Sequence, residues 1–300
     1  MQESVSGENP NHNRRSGTHK EGAGSRNGIP HPNKVMFPDV GLRRIDLIAY
    51  YETMSTHMLP YLKDRALTLI RWPQGIGGPH FYQRHPTPHT AILIPDQTTM
   101  LYWVARGALE IHAPLGLATN PLYHDWAVLD LDPSGDLPWA EVREATHIVA
   151  DCFNLCGIPF GVKTSGNHGI HFFIRITPTI HTDTVYWMHS LATLLKESFP
   201  DTFTVERLKV RRGTRIYLDY LQNGHTRTMA AIYSLRATSM ASVSTPVNLA
   251  DLHYPPEHWT PDRVVGRRHF LDTLWESCAD PVDLGRILTQ RKLLIPKSGI

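Results

Sequence analysis

The segment Trp126-Ala127-Val128-Leu129-Asp130-Leu131-Asp132 constrains this chain more than any other. An apolar run of that length reads as a buried strand, and it ends in two carboxylates separated by one leucine. Residues i and i+2 of a strand share a face, so Asp130 and Asp132 converge. Two like charges beside an apolar strand are costly unless a cation neutralises them, which points to a hard divalent metal with oxygen ligands. The alternative is turn chemistry, because Asp132-Pro133-Ser134-Gly135 is a plain turn sequence. Asp219, inside the apolar run 216–221, adds a third carboxylate that is expensive to bury alone. An ion pair with Arg212 or Arg215 is the competing explanation for it. Three strand carboxylates are the minimum kit for holding two metal ions between a nucleoside triphosphate and an attacking hydroxyl.

Around this strand the pattern is mixed. Residues 1–33 are rich in Gly, Ser, Asn, His and Pro without an apolar period, and are expected to be a disordered tail. A spacing of three and four predicts helices over 46–62, 139–156 and 182–199, the second with an inner face of Ala140, Val142, Ala145, Ile148, Val149 and Phe153 and with Gly157 as its stop. Short apolar runs predict strands at LTLIRW, TAILIP and TMLYWV between 66 and 112, and at 160–163 and 170–176. Residues 216–221 and 229–234 read as a hairpin around Asn223-Gly224. The final stretch has a helical pattern over 267–275. Without regular alternation of strand and helix, a doubly wound parallel sheet is excluded. No apolar run approaches the roughly 20 residues of a membrane helix. Three cysteines make neither a disulfide framework nor a zinc spacing, and with no secretory signal the expected compartment is the cytoplasm.

The segment Lys163-Thr164-Ser165-Gly166-Asn167-His168-Gly169-Ile170-His171 supplies polarity opposite to the aspartates. Its glycines let backbone N–H groups approach an anion, and Lys163, Ser165 and His171 can donate hydrogen bonds to phosphate. It is equally a plain hairpin turn, with His171 a satisfied strand histidine. Arg236 follows a strand and is a candidate phosphate clamp or a surface arginine.

Taken together, D-L-D-P at 130–133, K-T-S-G-x-x-G-x-H at 163–171, D-Y-L-Q-N at 219–223 and Y-S-L-R at 233–236 resemble the polymerase module of bacterial and archaeal non-homologous end-joining, best known as part of DNA ligase D. That module belongs to the archaeo-eukaryotic primase superfamily. Supporting stretches are Arg71-Trp72-Pro73, Glu110-Ile111-His112 and Ser244-Thr245-Pro246, so the likeness spans about 34 to 252 in family order. The resemblance implies an α+β primase fold whose mixed or antiparallel sheet carries the aspartates, beside a helix-rich N-terminal part. It implies a catalytic domain over 34–253 followed by a C-terminal extension over 254–300, packed on that domain or following it. It further implies a template-directed nucleotidyltransferase that fills gaps and extends DNA ends in break repair, favouring ribonucleotides.

In that reading Asp130, Asp132 and Asp219 are the catalytic, metal-binding triad, served by two manganese or magnesium ions. Ser165, His171 and Arg236 hold the triphosphate, with Lys163, His168, Arg212 and Gln222 lining the same pocket and His112 near the sugar. Arg71, Lys209 and Arg211 are weaker candidates for DNA contact. Two positions depart from the family pattern. Ile70 stands where many relatives have a lysine that grips a downstream 5′-phosphate, and isoleucine cannot pair with phosphate, so strong 5′-phosphate recognition is not expected unless Arg71, Lys63 or Arg84 substitutes; His168 stands where relatives often have lysine.

The expected partners are DNA ends, gapped DNA and nucleoside triphosphates. Because no ligase nucleotidyl-lysine motif is present, Ku and a separate ligase are expected as partners too, with the protein at the nucleoid and not in a membrane. A net charge of +2, from 30 Lys and Arg against 28 Asp and Glu, is small for such a role unless the charges are segregated. Two other readings share these residues. A stand-alone primase-polymerase would start primers on unprimed template, and a catalytically inactive end-binding module would have no use for an intact carboxylate triad.

Overall fold

In the computed structural model, the run that begins at Trp126 belongs to a longer strand, Asn120–Asp132. The structure describes residues 29–85, 87, 90–134, 137–276 and 280–295. Most of the tail expected over 1–33 therefore lies outside the described residues.

The elements in chain order are β1 (Val35–Phe37), β2 (Leu42–Arg43), α1 (Arg44–Leu62), β3 (Thr68–Arg71), β4 (Phe81–Gln83), α2 (Gln97–Ala105), β5 (Ala108–Ala113), β6 (Gly116–Leu117) and β7 (Asn120–Asp132). They continue with α3 (Trp139–Cys156), β8 (Gly161–Thr164), β9 (Ile170–Ile180), α4 (His181–Ser198), β10 (Phe203–Thr204), α5 (Lys209–Arg212), β11 (Ile216–Asp219), β12 (Met229–Ala230), α6 (Pro261–Glu276) and α7 (Leu284–Gln290). Besides the small sheet β1-β2, a larger sheet has the order β10-β11-β7-β9-β8 with β6 beside β7, and a smaller one the order β12-β5-β3-β4. All pairings are antiparallel except β10 with β11. The fold is thus α+β with mixed and antiparallel sheets, as expected, although the N-terminal part, with β1 to β6 against α1 and α2, holds more strands than helices.

Alternation along the larger sheet separates packing from chemistry. Ala127, Leu129 and Leu131 of β7, with Ile170, Phe172 and Ile174 of β9, are buried on the helix-covered face, where Phe153 of α3 meets Phe172 edge-on at 5.5 Å. The intervening residues, Asp130, Asp132 and His171 among them, point the other way. On the smaller sheet, Tyr51 of α1 donates to the Leu109 carbonyl at 2.6 Å, and Tyr50 to the Tyr233 carbonyl at 2.8 Å. One continuous core runs through both sheets and reaches Trp259, Val264, Leu284 and Leu288, so the described part of the C-terminal segment is built onto the same core. No helix among the described residues is long and apolar enough to cross a membrane.

Four expectations need correction. TMLYWV is helical: the Asp96 side chain caps α2 by accepting from the Thr99 N–H at 2.7 Å, and Met100, Trp103 and Val104 form the buried stripe at helical spacing. TAILIP forms no strand beyond a single bridge between Leu67 and Ile92. Ala140 is exposed, because α3 turns its buried face only from Val142 onward. The hairpin around Asn223-Gly224 does not exist, since β11 pairs with β7 while β12 pairs with β5. Residues Tyr220–Asn223 instead form a 3₁₀ turn, and Gly224 has φ −73°, outside the positive region that a primed turn needs.

Asn223 explains the difference. Its buried side chain accepts from the Val128 N–H at 2.9 Å and donates to the Val128 and Tyr220 carbonyls, both at 2.8 Å. It replaces a missing strand partner in mid-sheet. Asn223→Ala leaves the Val128 amide and carbonyl without this partner, and thermal unfolding should show a loss of roughly 2–4 kcal/mol. A loss below about 0.5 kcal/mol would mean that this side chain does not hold the sheet together there.

Candidate active site

Strand register assembles the site. Asp219 of β11 lies directly opposite Asp130 of β7, Asp130 opposite His171 of β9, and His171 opposite Lys163 of β8. Directly opposed residues of antiparallel strands point to the same face, so these four form one row across the sheet, with Asp132 two residues along. Above the row is an open cleft of about 640 Å³ lined by His112, Asp130, Asp132, Ser165, His168, His171, Gln222 and Arg236, together with Asn167 and Thr228.

Burial pushes the Asp130 carboxyl well above the usual carboxylate range, and the charges of Asp219 and Asp132 push it further. Burial also raises Asp219, against hydrogen bonds from the Leu221 N–H, the Tyr217 hydroxyl and the Gln222 amide. Asp132 pairs with Arg212 at 2.8 Å. Clustered carboxylate oxygens of this kind suit a hard divalent cation. As the side chains stand, no three His, Cys, Asp or Glu groups among the described residues gather around one point. The reason is local: Asp132 is turned to Arg212, and Asp219 caps the turn that follows it. Among the described residues, the ion-pair contact of Asp130 is His171 Nε2, at 3.5 Å.

The cationic side of the row is layered. Lys163 is buried, with Nζ 2.8 Å from His171 Nδ1 and 2.6 Å from Ser244 Oγ. Burial pushes Lys163 well below the usual lysine range, as does Arg236, while Asp130 opposes. A charged lysine has only hydrogens to offer, so with Lys163 as the ammonium Nδ1 accepts and His171 keeps its proton on Nε2, toward Asp130. Lys163 therefore stands behind His171 and does not line the cleft.

In the β8–β9 turn, Ser165 Oγ accepts from the Asn167 and Gly169 N–H groups at 3.1 and 2.9 Å. A hydroxyl has two acceptor sites and one donor, so its proton remains to be donated. These bonds spend the Asn167 and Gly169 N–H groups on Ser165, so an anion at this turn would meet its other backbone N–H groups. The glycines serve close packing: a Cβ on Gly166, which has φ +71°, would lie 2.6 Å from Arg236 Cγ, and one on Gly169 would lie 2.6 Å from the Leu131 carbonyl oxygen.

Glu110 was not expected among the site residues, yet it organises two of them. It meets His112 Nε2 at 2.8 Å and Arg236 Nε at 3.1 Å, and accepts from the Ala237 N–H at 2.9 Å. Arg236 also donates to the Ser165 carbonyl at 2.5 Å, which ties it to the β8–β9 turn. The signal in the sequence was Glu110-x-His112 on a strand, where both side chains share a face.

Arg212 is spent on Asp132 and on the Glu206 and Arg207 carbonyls, and it is not part of the cleft wall. Arg71 donates to the Arg106 carbonyl and to Gln83, away from the cleft lining. Lys209 and Arg211 are exposed on α5, next to Arg212. Ile70 is buried within β3. Neither proposed ion pair of Asp219 forms: Arg212 takes Asp132, and Arg215 donates to backbone carbonyls.

Residues 43–275 match the family model described as LigD, primase-polymerase domain. The bifunctional non-homologous end joining protein LigD of Bacillus subtilis (strain 168) is 29% identical over 252 residues, covering 78% of this chain and 41% of that protein. The multifunctional non-homologous end joining protein LigD of Pseudomonas aeruginosa is 27% identical over 237 residues, covering 73% of this chain and 28% of that protein. The chain thus spans less than half the length of these relatives. A solved structure, the polymerase domain from Mycobacterium tuberculosis ligase D in complex with DNA, superposes with a TM-score of 0.76 at 23% identity, over 85% of this chain and 99% of that one. It shares the fold.

Burial alone would raise the Glu110 carboxyl, but His112, Arg236 and the Ala237 N–H override it and hold it at about 2, against an ordinary 4.5. Its ionised form therefore contributes stability that is fully present above about pH 4.5 and is lost as the pH falls toward 2. Thermal unfolding between pH 2.5 and 7 should show wild type losing on the order of 3 kcal/mol across that window. Glu110→Gln should be less stable at pH 7 and flatter in acid, and parallel curves would show that this carboxylate is not what couples folding to pH.

Proposed function

The chain belongs to the LigD primase-polymerase domain family and is by that membership a nucleotidyltransferase; from this premise, we propose that it adds nucleotides to a primer 3′-end on a DNA template, filling gaps and extending ends during non-homologous end-joining. The single observation that carries the reading is the row Asp219, Asp130, His171, Lys163, which sets half-buried carboxylates beside cationic, hydrogen-bond-donating groups, with Asp130 and His171 opening to one cleft and Asp219 and Lys163 flanking them outside its lining.

Asp130, Asp132 and Asp219 would hold two divalent cations, manganese or magnesium, which would offset their charge and make the primer hydroxyl a better nucleophile. The chain's own residues do the rest. The Ser165 hydroxyl, His171 Nε2–H, His168 and the Arg236 guanidinium bind the triphosphate, and Glu110 orients Arg236 by fixing its Nε edge. The 3′-oxygen bonds to the α-phosphorus as the bond to the bridging oxygen breaks, pyrophosphate leaves, and the hydroxyl proton passes to water. Arg212 must release Asp132 before that carboxylate can bind a cation in full.

His112 gives the ribonucleotide preference a chemical basis. It reaches the Glu110 carboxylate through Nε2, which must then carry the proton, and burial lowers its pKa, so the neutral ring presents Nδ1 as an acceptor. A 2′-hydroxyl can donate to it, whereas a deoxyribose cannot. DNA ends and nucleoside triphosphates are thus the proposed substrates, with Ku and a ligase activity as partners in the same repair.

The test is extension of a labelled primer across a short gap, with manganese or magnesium, ribo- or deoxyribonucleotides, and a 5′-phosphate or 5′-hydroxyl downstream. Asp130→Asn and Asp219→Asn should each cut pyrophosphate release by about 1000-fold or more, equivalent to about 4 kcal/mol at the transition state. His112→Ala should lower the ribo-to-deoxy ratio by roughly 5- to 10-fold, the size of one hydrogen bond. Extension equal in wild type and Asp130→Asn would sink the assignment, and efficient dinucleotide synthesis on unprimed template would move it to primer initiation.

A further inference from the structure

Glu110 and the Ser165 carbonyl orient the Arg236 guanidinium at its tip, and the backbone on either side of that ion pair is joined by one buried hydroxyl. Tyr51 of α1 is fully buried; its hydroxyl donates to the Leu109 carbonyl at 2.6 Å and accepts from the Leu235 N–H at 3.1 Å. Leu109 precedes Glu110 and Leu235 precedes Arg236, so a single oxygen spans the residues next to both charged groups. On the other side of Glu110, the Ile111 N–H donates to Ser234 Oγ at 2.9 Å, which fastens that neighbour to the same segment. Tyr51 itself does not line the cleft.

The segment that carries Arg236 needs an outside hold. Tyr233 has φ +62° although it is not glycine, a left-handed conformation that persists only where the surroundings enforce it. Here the Tyr233 N–H donates to the Ser244 carbonyl at 2.7 Å, and its carbonyl accepts from the Tyr50 hydroxyl at 2.8 Å. Three positions later Arg236 reaches the cleft. Phosphate oxygens reward a guanidinium only at hydrogen-bond distance and in the right plane, so a small displacement of Arg236 is costly. We propose that the Tyr51 hydroxyl is a positioning group for Arg236: by tying Leu109 to Leu235 it fixes the spacing of Glu110 and Arg236, and thereby the place of the guanidinium against the triphosphate. The inference rests on the reading of Arg236 as a triphosphate clamp and adds to it a residue of α1 that lies outside the cleft lining.

Titration of a ribonucleoside triphosphate, with manganese and a primed template whose primer lacks the 3′-hydroxyl, gives the nucleotide Kd without turnover; steady-state extension of an ordinary primer gives KM and kcat. Tyr51→Phe removes both hydrogen bonds with little change in volume, and should raise the nucleotide Kd and KM by about 5- to 10-fold while kcat and DNA affinity stay close to wild type. In an Arg236→Ala background it should add no further rise, because hydroxyl and guanidinium act in series. The control Tyr186→Phe loses a hydroxyl that donates to the Ile295 carbonyl at 2.7 Å, on α4 and outside the cleft lining, and should keep the wild-type Kd whatever it costs in stability. Should Tyr51→Phe not fold, leucic acid in place of Leu235 turns that amide into an ester and removes only the N–H that the hydroxyl accepts, and the same rise in Kd is expected. A wild-type Kd in Tyr51→Phe or in the ester form overturns the inference, and so does a rise that persists undiminished when Arg236 is replaced. Arg236→Ala with a wild-type Kd overturns the clamp reading beneath it, which separates the two failures.

Discussion

Antiparallel pairing of β7 with β11 on one side and β9 on the other sets Asp219, Asp130, His171 and Lys163 in one line. A strand shifted by one residue would carry its polar set to the helix-covered face and its Leu129 and Leu131 into the cleft. The register is therefore held by the same apolar residues that form the core. Asn223 reinforces it by bonding both backbone groups of Val128, and the Gly169 backbone packs so closely on the Leu131 carbonyl that no side chain fits between them.

Charge is arranged in layers above that frame. Asp130 is crowded by two other carboxylates, and the cations that face it are themselves tied down: Lys163 to His171 and Ser244, Arg236 to Glu110 and Ser165. Arg212 holds Asp132 in the same way. Arg236 is thus pre-oriented by Glu110 and Ser165, and His171 by Lys163, which lowers the reorganisation needed when a more highly charged ligand arrives, whereas Arg212 must first let go of Asp132. The near-zero net charge of the chain hides this local arrangement, in which Asp130 and Asp132 share one cleft with Arg236.

Legibility followed locality. The strand of Trp126, the helix ended by Gly157 and the β8–β9 turn could be read because each carries its own period or stop signal. The helix over 97–105 was missed because a six-residue apolar window looks alike in strand and helix, and the deciding group, Asp96, sits just outside it. The false hairpin at Asn223-Gly224 came from reading turn chemistry without knowing that Asn223 is used inside the sheet. At the candidate site, residue types were legible and partners were not. Nothing local distinguishes Lys163 lining a cleft from Lys163 buried behind His171, or Arg212 beside a phosphate from Arg212 clasping Asp132.

The sequence by itself determined which side chains share a face of each strand, because alternation is a property of the extended backbone. It also determined the family, through four ordered motifs spread over residues 130–236. Only the tertiary structure decided that Asp219 faces Asp130 across a strand pair, that Glu110 anchors Arg236 from the other sheet, and that the Tyr51 hydroxyl bridges Leu109 and Leu235. Those are contacts between segments distant in the chain, selected by how the two sheets pack against one core, and no periodicity within a single segment encodes them.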